Sequence, residues 1–286
     1  MRNLMQRLWS RLPRRLRRAA SPVVRLLAQD HVPHASIPRV YTTLQCNLKC
    51  PFCSDGLDYD KSHMGYRPLP PERWIGIIDA LPGPAVIFTG GEPTLYQGLP
   101  EVINKIRQPT VMLYTNLSYN VAKFFDRLER PITVFASFHP NNKGVTAERI
   151  LANVRLLQAH PMVKAVVNLH SINHPSNGDL EEAKRFFESN GIRLDIHQDQ
   201  FLNNSNSPAA CDGKSLQTVH CSYDRIILGP DGQRWICVSK MIRNVRDGLV
   251  PIGQRTVPAM VCHEFGRCSP CDEVATITPM GTAAPV

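Results

Sequence analysis

The chain has 286 residues, 43% of them hydrophobic, enough for one substantial core and a small second unit rather than a peptide-sized scaffold. No run of about 18 apolar residues occurs, which excludes a membrane-spanning helix. The net charge of +9 is concentrated: residues 1–30 hold eight arginines against the single acid Asp30, and the nearly neutral remainder excludes a broad basic surface for nucleic acid.

Residues 1–36 place Leu4, Met5, Leu8, Trp9, Leu12 and Leu16 at near-helical spacing, interleaved with Arg7, Arg11, Arg14, Arg15, Arg17 and Arg18. This reads as a basic amphipathic extension able to meet an anionic membrane surface or an acidic partner. Pro13 interrupts any single helix, and a loosely ordered basic arm is the plainer alternative. From Pro38 the pattern alternates. Strands are predicted near 38–44, 85–89, 110–115, 132–138, 163–170 and 192–198. Helices are predicted near 71–81, 99–107, 119–129, 146–160 and 179–190, with Gly191 stopping the last. Six strands with intervening helices imply a parallel α/β sheet, whose chemistry sits at the C-terminal ends of the strands.

Two motifs lie at such ends. Cys46, Cys50 and Cys53 form a C-x3-C-x2-C triplet after the first strand. Zinc sites usually take cysteines in pairs, whereas three thiolates on one loop suit three irons of a [4Fe–4S] cube and leave the fourth iron open. After the apolar run 85–88 comes Thr89-Gly90-Gly91-Glu92-Pro93. Its glycines permit close backbone approach, and Glu92 offers a carboxylate to a cation.

Together, in this order, the C-x3-C-x-aromatic-C triplet and the GGE turn resemble the radical S-adenosylmethionine (radical SAM) superfamily. The resemblance implies a partial (β/α)6 TIM-like barrel over residues 37–200. It implies that Cys46, Cys50 and Cys53 hold a [4Fe–4S] cluster, that Gly90, Gly91 and Glu92 take the methionine amino group of SAM, and that Phe52 packs near adenine. It also makes Ser137, at the end of the fourth strand, the candidate for the SAM ribose, and Arg155 a candidate for the SAM carboxylate. By their place at strand ends, Asn116 and Asn168 join the cofactor-binding candidates. In the last barrel strand Asp195, His197 and Asp199 are expected to point into the lumen, with His197 a catalytic candidate.

Residues 201–220, including Cys211, have linker composition. Beyond them Ile226-Ile227-Leu228, Gly229-Pro230-Asp231-Gly232 and Trp235-Ile236-Cys237 read as a hairpin with Cys221 and Cys237 at its ends; Cys262, Cys268 and Cys271 follow. This pattern resembles the twitch or SPASM extension of radical SAM enzymes. It implies a small C-terminal cysteine-rich domain over 201–275 binding a second, auxiliary [4Fe–4S] cluster through Cys221, Cys237, Cys268 and Cys271; residues 276–286 read as a disordered tail. Zinc remains the alternative ligand for that set.

The implied activity is reductive cleavage of SAM to a 5′-deoxyadenosyl radical that removes hydrogen from a polar sugar, aminoglycoside-like or peptide substrate. The auxiliary cluster would accept an electron in dehydrogenation or cross-linking, and a flavodoxin- or ferredoxin-type protein would supply reducing electrons. An epimerase using Cys211 or Cys262 as hydrogen donor is the alternative within the class. A non-catalytic zinc protein binding nucleic acid is the alternative outside it. The cysteines cluster as metal ligands and no signal-peptide segment precedes them, so a reducing cytoplasm is expected, with membrane association through residues 1–30 as a further expectation.

Overall fold

The computed structural model describes residues 37–53, 66–198, 217–222, 225–252, 259–265 and 276–280. The basic extension, Cys211, Cys268, Cys271 and the final residues 281–286 lie outside the described residues, as does the Asn168 side chain.

The main sheet starts from strand β1 (Arg39–Tyr41), which is shorter than predicted because the chain turns at Thr42 into the cysteine loop. Next in the chain come helix α1 (Pro71–Asp79), β2 (Ala85–Thr89), α2 (Leu99–Lys105), β3 (Thr110–Thr115), α3 (Val121–Phe125) and β4 (Ile132–Ser137). Helix α4 (Ala147–Ala159), β5 (Val163–Asn173), α5 (Leu180–Ser189) and β6 (Leu194–Gln198) complete the repeat. Helix α3 covers only five of the eleven residues predicted, beginning where Asn120 caps it and ending at Asp126. The Thr146 and Asp179 side chains likewise cap α4 and α5, and Gly191, at φ 75°, ends the turn after α5.

Strands β1 to β6 are hydrogen-bonded in sequence order, each parallel to the next. Their alternation divides two cores. Val40, Val86, Phe88, Leu113 and Val134 face the helices, packing with Trp74, Ile78, Ile103, Val154 and Leu157. Ile37, Ala85, Ile87 and Met112 face the other way with Tyr114 and Phe135, whose rings stack at 4.6 Å. Both faces of β2 are therefore buried, which accounts for its unbroken Ala-Val-Ile-Phe run.

The predicted hairpin forms as β8 (Ile227–Leu228) and β9 (Arg234–Trp235), after β7 (Gln217–Ser222), and its turn places Gly232 at φ 73°. It lies on the main sheet rather than apart from it: β8 runs parallel beside β1, and β10 (Leu249–Val250) continues beyond β9. The reason is burial. Ile227 and Trp235 are 0% exposed and pack with Tyr41 and Leu44, covering an edge that β1 would otherwise leave open. Helix α6 (Val238–Ile242) follows the hairpin. A separate antiparallel sheet joins β7 to β11 (Met260–Phe265) on one side and β12 (Thr276–Pro279) on the other, so the start of the expected disordered tail is instead a strand, held by its pairing with β7. Among the described residues no helix is long and apolar enough to cross a membrane.

Truncating Trp235 leaves a large cavity at the junction of hairpin and barrel. Trp235→Ala is expected to cost about 3–5 kcal/mol, read as a lower urea midpoint for the barrel's far-UV signal in one cooperative transition.

Candidate active site

At the C-terminal ends of β1–β6 a cleft of about 310 Å3 is bordered by Cys46, Cys50, Cys53 and Phe52 from the loop after β1 and by Thr89 at the end of β2 with Gly90, Gly91 and Glu92 from the turn after it. Tyr114, Thr115 and Asn116 add the end of β3; Ser137, His139, His170, Ile172 and Gln198 complete the wall.

The cysteine loop is fixed from below. The Gly91 N–H donates to the Thr43 carbonyl at 3.3 Å and the Glu92 N–H to the Gln45 carbonyl at 2.7 Å. A Cβ on Gly91 would fall 2.1 Å from the Gln45 carbonyl oxygen, and one on Gly90 would fall 2.7 Å from that of Thr43. The glycines are thus required first by the contact between the two loops, rather than by approach of a ligand alone. Gly90 also adopts φ 120°, which side chains rarely tolerate.

Glu92 is 1% exposed. Its Oε1 accepts from the Thr94 N–H at 3.2 Å, the Thr94 hydroxyl at 2.6 Å and the Thr115 hydroxyl at 2.9 Å, while Oε2 accepts from the Asn116 N–H at 2.9 Å. Burial pushes its carboxyl above the usual range, and these donated bonds oppose the shift. The carboxylate ties the end of β2 to the end of β3 while Glu92 still borders the cleft.

Asn116 carries the connection onward. Its Nδ2 donates to Asn47 Oδ1 at 3.0 Å and lies 3.7 Å from Cys46 Sγ, and its Oδ1 accepts from the Ser118 N–H and hydroxyl at 2.9 and 2.6 Å. Leu117 beside it takes a left-handed φ of 51°, held by Asn153 Nδ2 donating to its carbonyl at 2.7 Å. The Leu48 N–H donates to Cys46 Sγ at 3.4 Å, and Asn142 Nδ2 donates to Cys50 Sγ at 3.3 Å. Burial pushes the Cys50 thiol up to about 11, opposed by the Asn142 bond and reinforced by neighbouring Cys46. Phe52, 8% exposed, lies between His139 at 5.2 Å and His174 at 5.4 Å. Among the described residues His139 Nδ1 is buried without a hydrogen-bond partner, and burial with His170 nearby lowers its pKa to about 4.

The triplet, the GGE turn, Phe52, Asn116 and Ser137 are therefore brought together, with the Ser137 hydroxyl donating to the Thr115 carbonyl at 3.4 Å. Arg155 is not: it projects from the exposed face of α4 and donates to Asn190 Oδ1 at 2.8 Å, because the stripe of α4 that meets the sheet is Ile150, Val154 and Leu157. Register pairs Asp195 with His170 and His197 with Ile172, but His197 lies on the exposed end of β6, its ring 5.8 Å from that of His170, and does not border the cleft. Asp195 is bonded by Arg193 Nε at 2.6 Å. Cys262 lies on β11 against Val219 and Phe265, and does not border the cleft either. Sequence reading missed Asn142 and His174, which stand in loops and carry no periodic signal. Among the described residues no three His, Cys, Asp or Glu side chains converge as a single-ion site requires.

Comparison with known proteins shows that the family described as the Radical SAM superfamily matches residues 40–187, more than half of the chain. The chain belongs to the radical SAM superfamily. Its mixed α/β fold with a mainly parallel sheet is consistent with a radical SAM partial TIM barrel, and the members of the superfamily are enzymes. This radical SAM chain is 26% identical over 144 residues to 7-carboxy-7-deazaguanine synthase of Thermoplasma acidophilum, covering 49% of this chain and 65% of that protein. It is 35% identical over 78 residues to PqqA peptide cyclase of Granulibacter bethesdensis, covering 26% of this chain and 20% of the cyclase. The matches thus span less than two thirds of either relative's length. Among solved structures, "Native anSMEcpe with bound AdoMet and Kp18Cys peptide" shares the fold at TM-score 0.50 and 13% identity, over 82% of this chain and 78% of that one.

Two outcomes follow from the site's geometry. Gly91→Ala drives a methyl into backbone that cannot retreat, so it is expected to lose the order of the cysteine loop, measured as faster alkylation of Cys46, Cys50 and Cys53 by iodoacetamide at unchanged far-UV signal. For His139 the folded pKa lies below the unfolded value. Between about pH 6.5 and 4 the unfolded chain therefore binds a proton that the folded chain does not, and stability falls as pH falls. His139→Phe is expected to flatten that decline by about 1–3 kcal/mol, measured by urea titration at pH 7 and pH 4.

Proposed function

We propose that this radical SAM enzyme holds a [4Fe–4S] cluster on Cys46, Cys50 and Cys53 and binds SAM in the cleft between the cysteine loop and the turn after β2. The observation that carries the reading is that all three thiols border the same cleft as the GGE turn. A cube takes one thiolate per iron, so its ligands need not converge on one point as they do around zinc. When bound, the cluster and SAM supply a 5′-deoxyadenosyl radical for hydrogen abstraction.

The chain's own residues order and shield that chemistry. The Gly91 and Glu92 amides hold the loop, Phe52 and His139 border the cleft with His174 against the Phe52 ring, and Tyr114, stacked on Phe135, borders it from the end of β3. Ser137, Gly90, Gly91, Glu92 and Asn116 all border the cleft, which supports Ser137 as the residue for the ribose and the others for the methionine portion.

A peptide is the substrate class we favour, because a relative at 35% identity is a peptide cyclase. The second cluster is proposed for Cys221, Cys237, Cys268 and Cys271. In support, Met260, the cross-strand neighbour of Cys221, packs against the same apolar group as Cys237, and Cys237 caps α6 by accepting the Lys240 N–H at 3.5 Å. The units 1–36, 37–200 and 201–275 remain the proposed organisation, with the hairpin shared between the last two; the donor of reducing electrons is proposed to be a small flavin or iron–sulfur protein.

Anaerobic reconstitution tests both sites. About eight irons per wild-type chain and about four in the Cys46→Ala/Cys50→Ala/Cys53→Ala variant are expected, with dithionite-driven release of 5′-deoxyadenosine from SAM lost only in that variant. Wild-type chain that takes up iron and releases no deoxyadenosine overturns the reading.

A further inference from the structure

Asn142 lies 92 positions from Cys50, in the loop after β4, and bonds the cysteine loop twice. The Lys49 N–H donates to Asn142 Oδ1 at 2.8 Å, and Asn142 Nδ2 donates to Cys50 Sγ at 3.3 Å. The first bond fixes the second. A backbone N–H can only be met by the amide oxygen, so the amide nitrogen is turned toward the sulfur. Nδ2 also lies 3.2 Å from the His139 carbonyl and 2.8 Å from Asn141 Oδ1, so its two protons serve three acceptors and the side chain is held from several directions. Cys46 differs in that it receives a backbone donor, the Leu48 N–H, with only a 3.7 Å approach from Asn116. The donor to Cys50 is thus a side chain that substitution can remove without touching the peptide groups of the loop.

A hydrogen bond donated to a thiolate withdraws charge from it and stabilises the more electron-rich state of whatever iron it binds. Cys50 is partly buried, and a donor in such surroundings acts more strongly than one in water. We propose that Asn142 is a positioning residue that sets the reduction potential of the cluster held by Cys46, Cys50 and Cys53, raising it through the Nδ2–Sγ bond. The inference rests on the cluster assignment proposed above.

The test is an electron paramagnetic resonance redox titration of reconstituted full-length protein, comparing wild type with Asn142→Leu and Asn142→Asp in a background carrying Cys268→Ala/Cys271→Ala to silence a second cluster. Asn142→Leu removes both bonds. Asn142→Asp keeps an acceptor for the Lys49 N–H and replaces the donor to sulfur by an acceptor, so it separates the potential from the tether. Both are expected to be harder to reduce, with about a tenfold lower reduced-to-oxidised ratio at a fixed poise, equivalent to about 59 mV for one electron. Asn142→Asp is expected to keep wild-type iron content. Equal potentials in wild type and Asn142→Asp, both loaded with iron, overturn the inference and leave the cluster assignment standing. Wild-type protein that takes up no iron overturns both.

Discussion

The Glu92 carboxylate is the point through which the cleft is built. An unpaired buried carboxylate would cost several kcal/mol, so this one is tolerable only because Thr94, Thr115 and Asn116 all donate to it. Those donors belong to the turn after β2 and to the end of β3, while the Glu92 N–H reaches Gln45 in the loop after β1. One residue therefore sets the mutual positions of three successive strand ends. Asn116 then relays that position to Asn47 and Cys46, and Asn142 brings the loop after β4 onto Cys50. The cysteine loop has little regular structure of its own and takes its shape from these neighbours.

The residues that were legible in the sequence are those with a local signature. The apolar run before Gly90, the stripe of α4 and the Pro-Asp-Gly turn of the hairpin are short-range patterns, and each forms the element its pattern implies. The triplet and the GGE turn were legible as motifs, but their mutual contact was not, because the requirement for Gly91 comes from the carbonyl of Gln45, about 46 positions earlier in the chain. Arg155 shows the converse error: a useful charge on the right helix sits on the wrong face, since the buried stripe of α4 was already claimed by Ile150, Val154 and Leu157. Asn142 and His174 left no trace in periodicity at all, and only the tertiary structure places them beside the triplet's loop.

The second half of the chain divides its allegiance. Its hairpin belongs to the large sheet by hydrogen bonding and by the Tyr41–Trp235 cluster, while Cys221 and Cys262 lie on a three-stranded sheet of their own. Cys237 stands between these, just past β9 and at the start of α6, where the buried Lys240 is neutralised by Asp247 at 2.7 Å. The segment carrying Cys237 is thus anchored to the barrel that carries the cleft.

The parallel pairing of Arg39 with Ile227 has a consequence for biogenesis. β1 meets β2 about 48 positions later on one flank, yet its other flank must wait for β8, about 188 positions later. On the ribosome, the first strand of the sheet therefore emerges with one row of amides exposed and stays so until β8 has been made. During that interval the open edge is a template for wrong pairing, and burial of Trp235 and Ile227 against Tyr41 and Leu44 is what closes it.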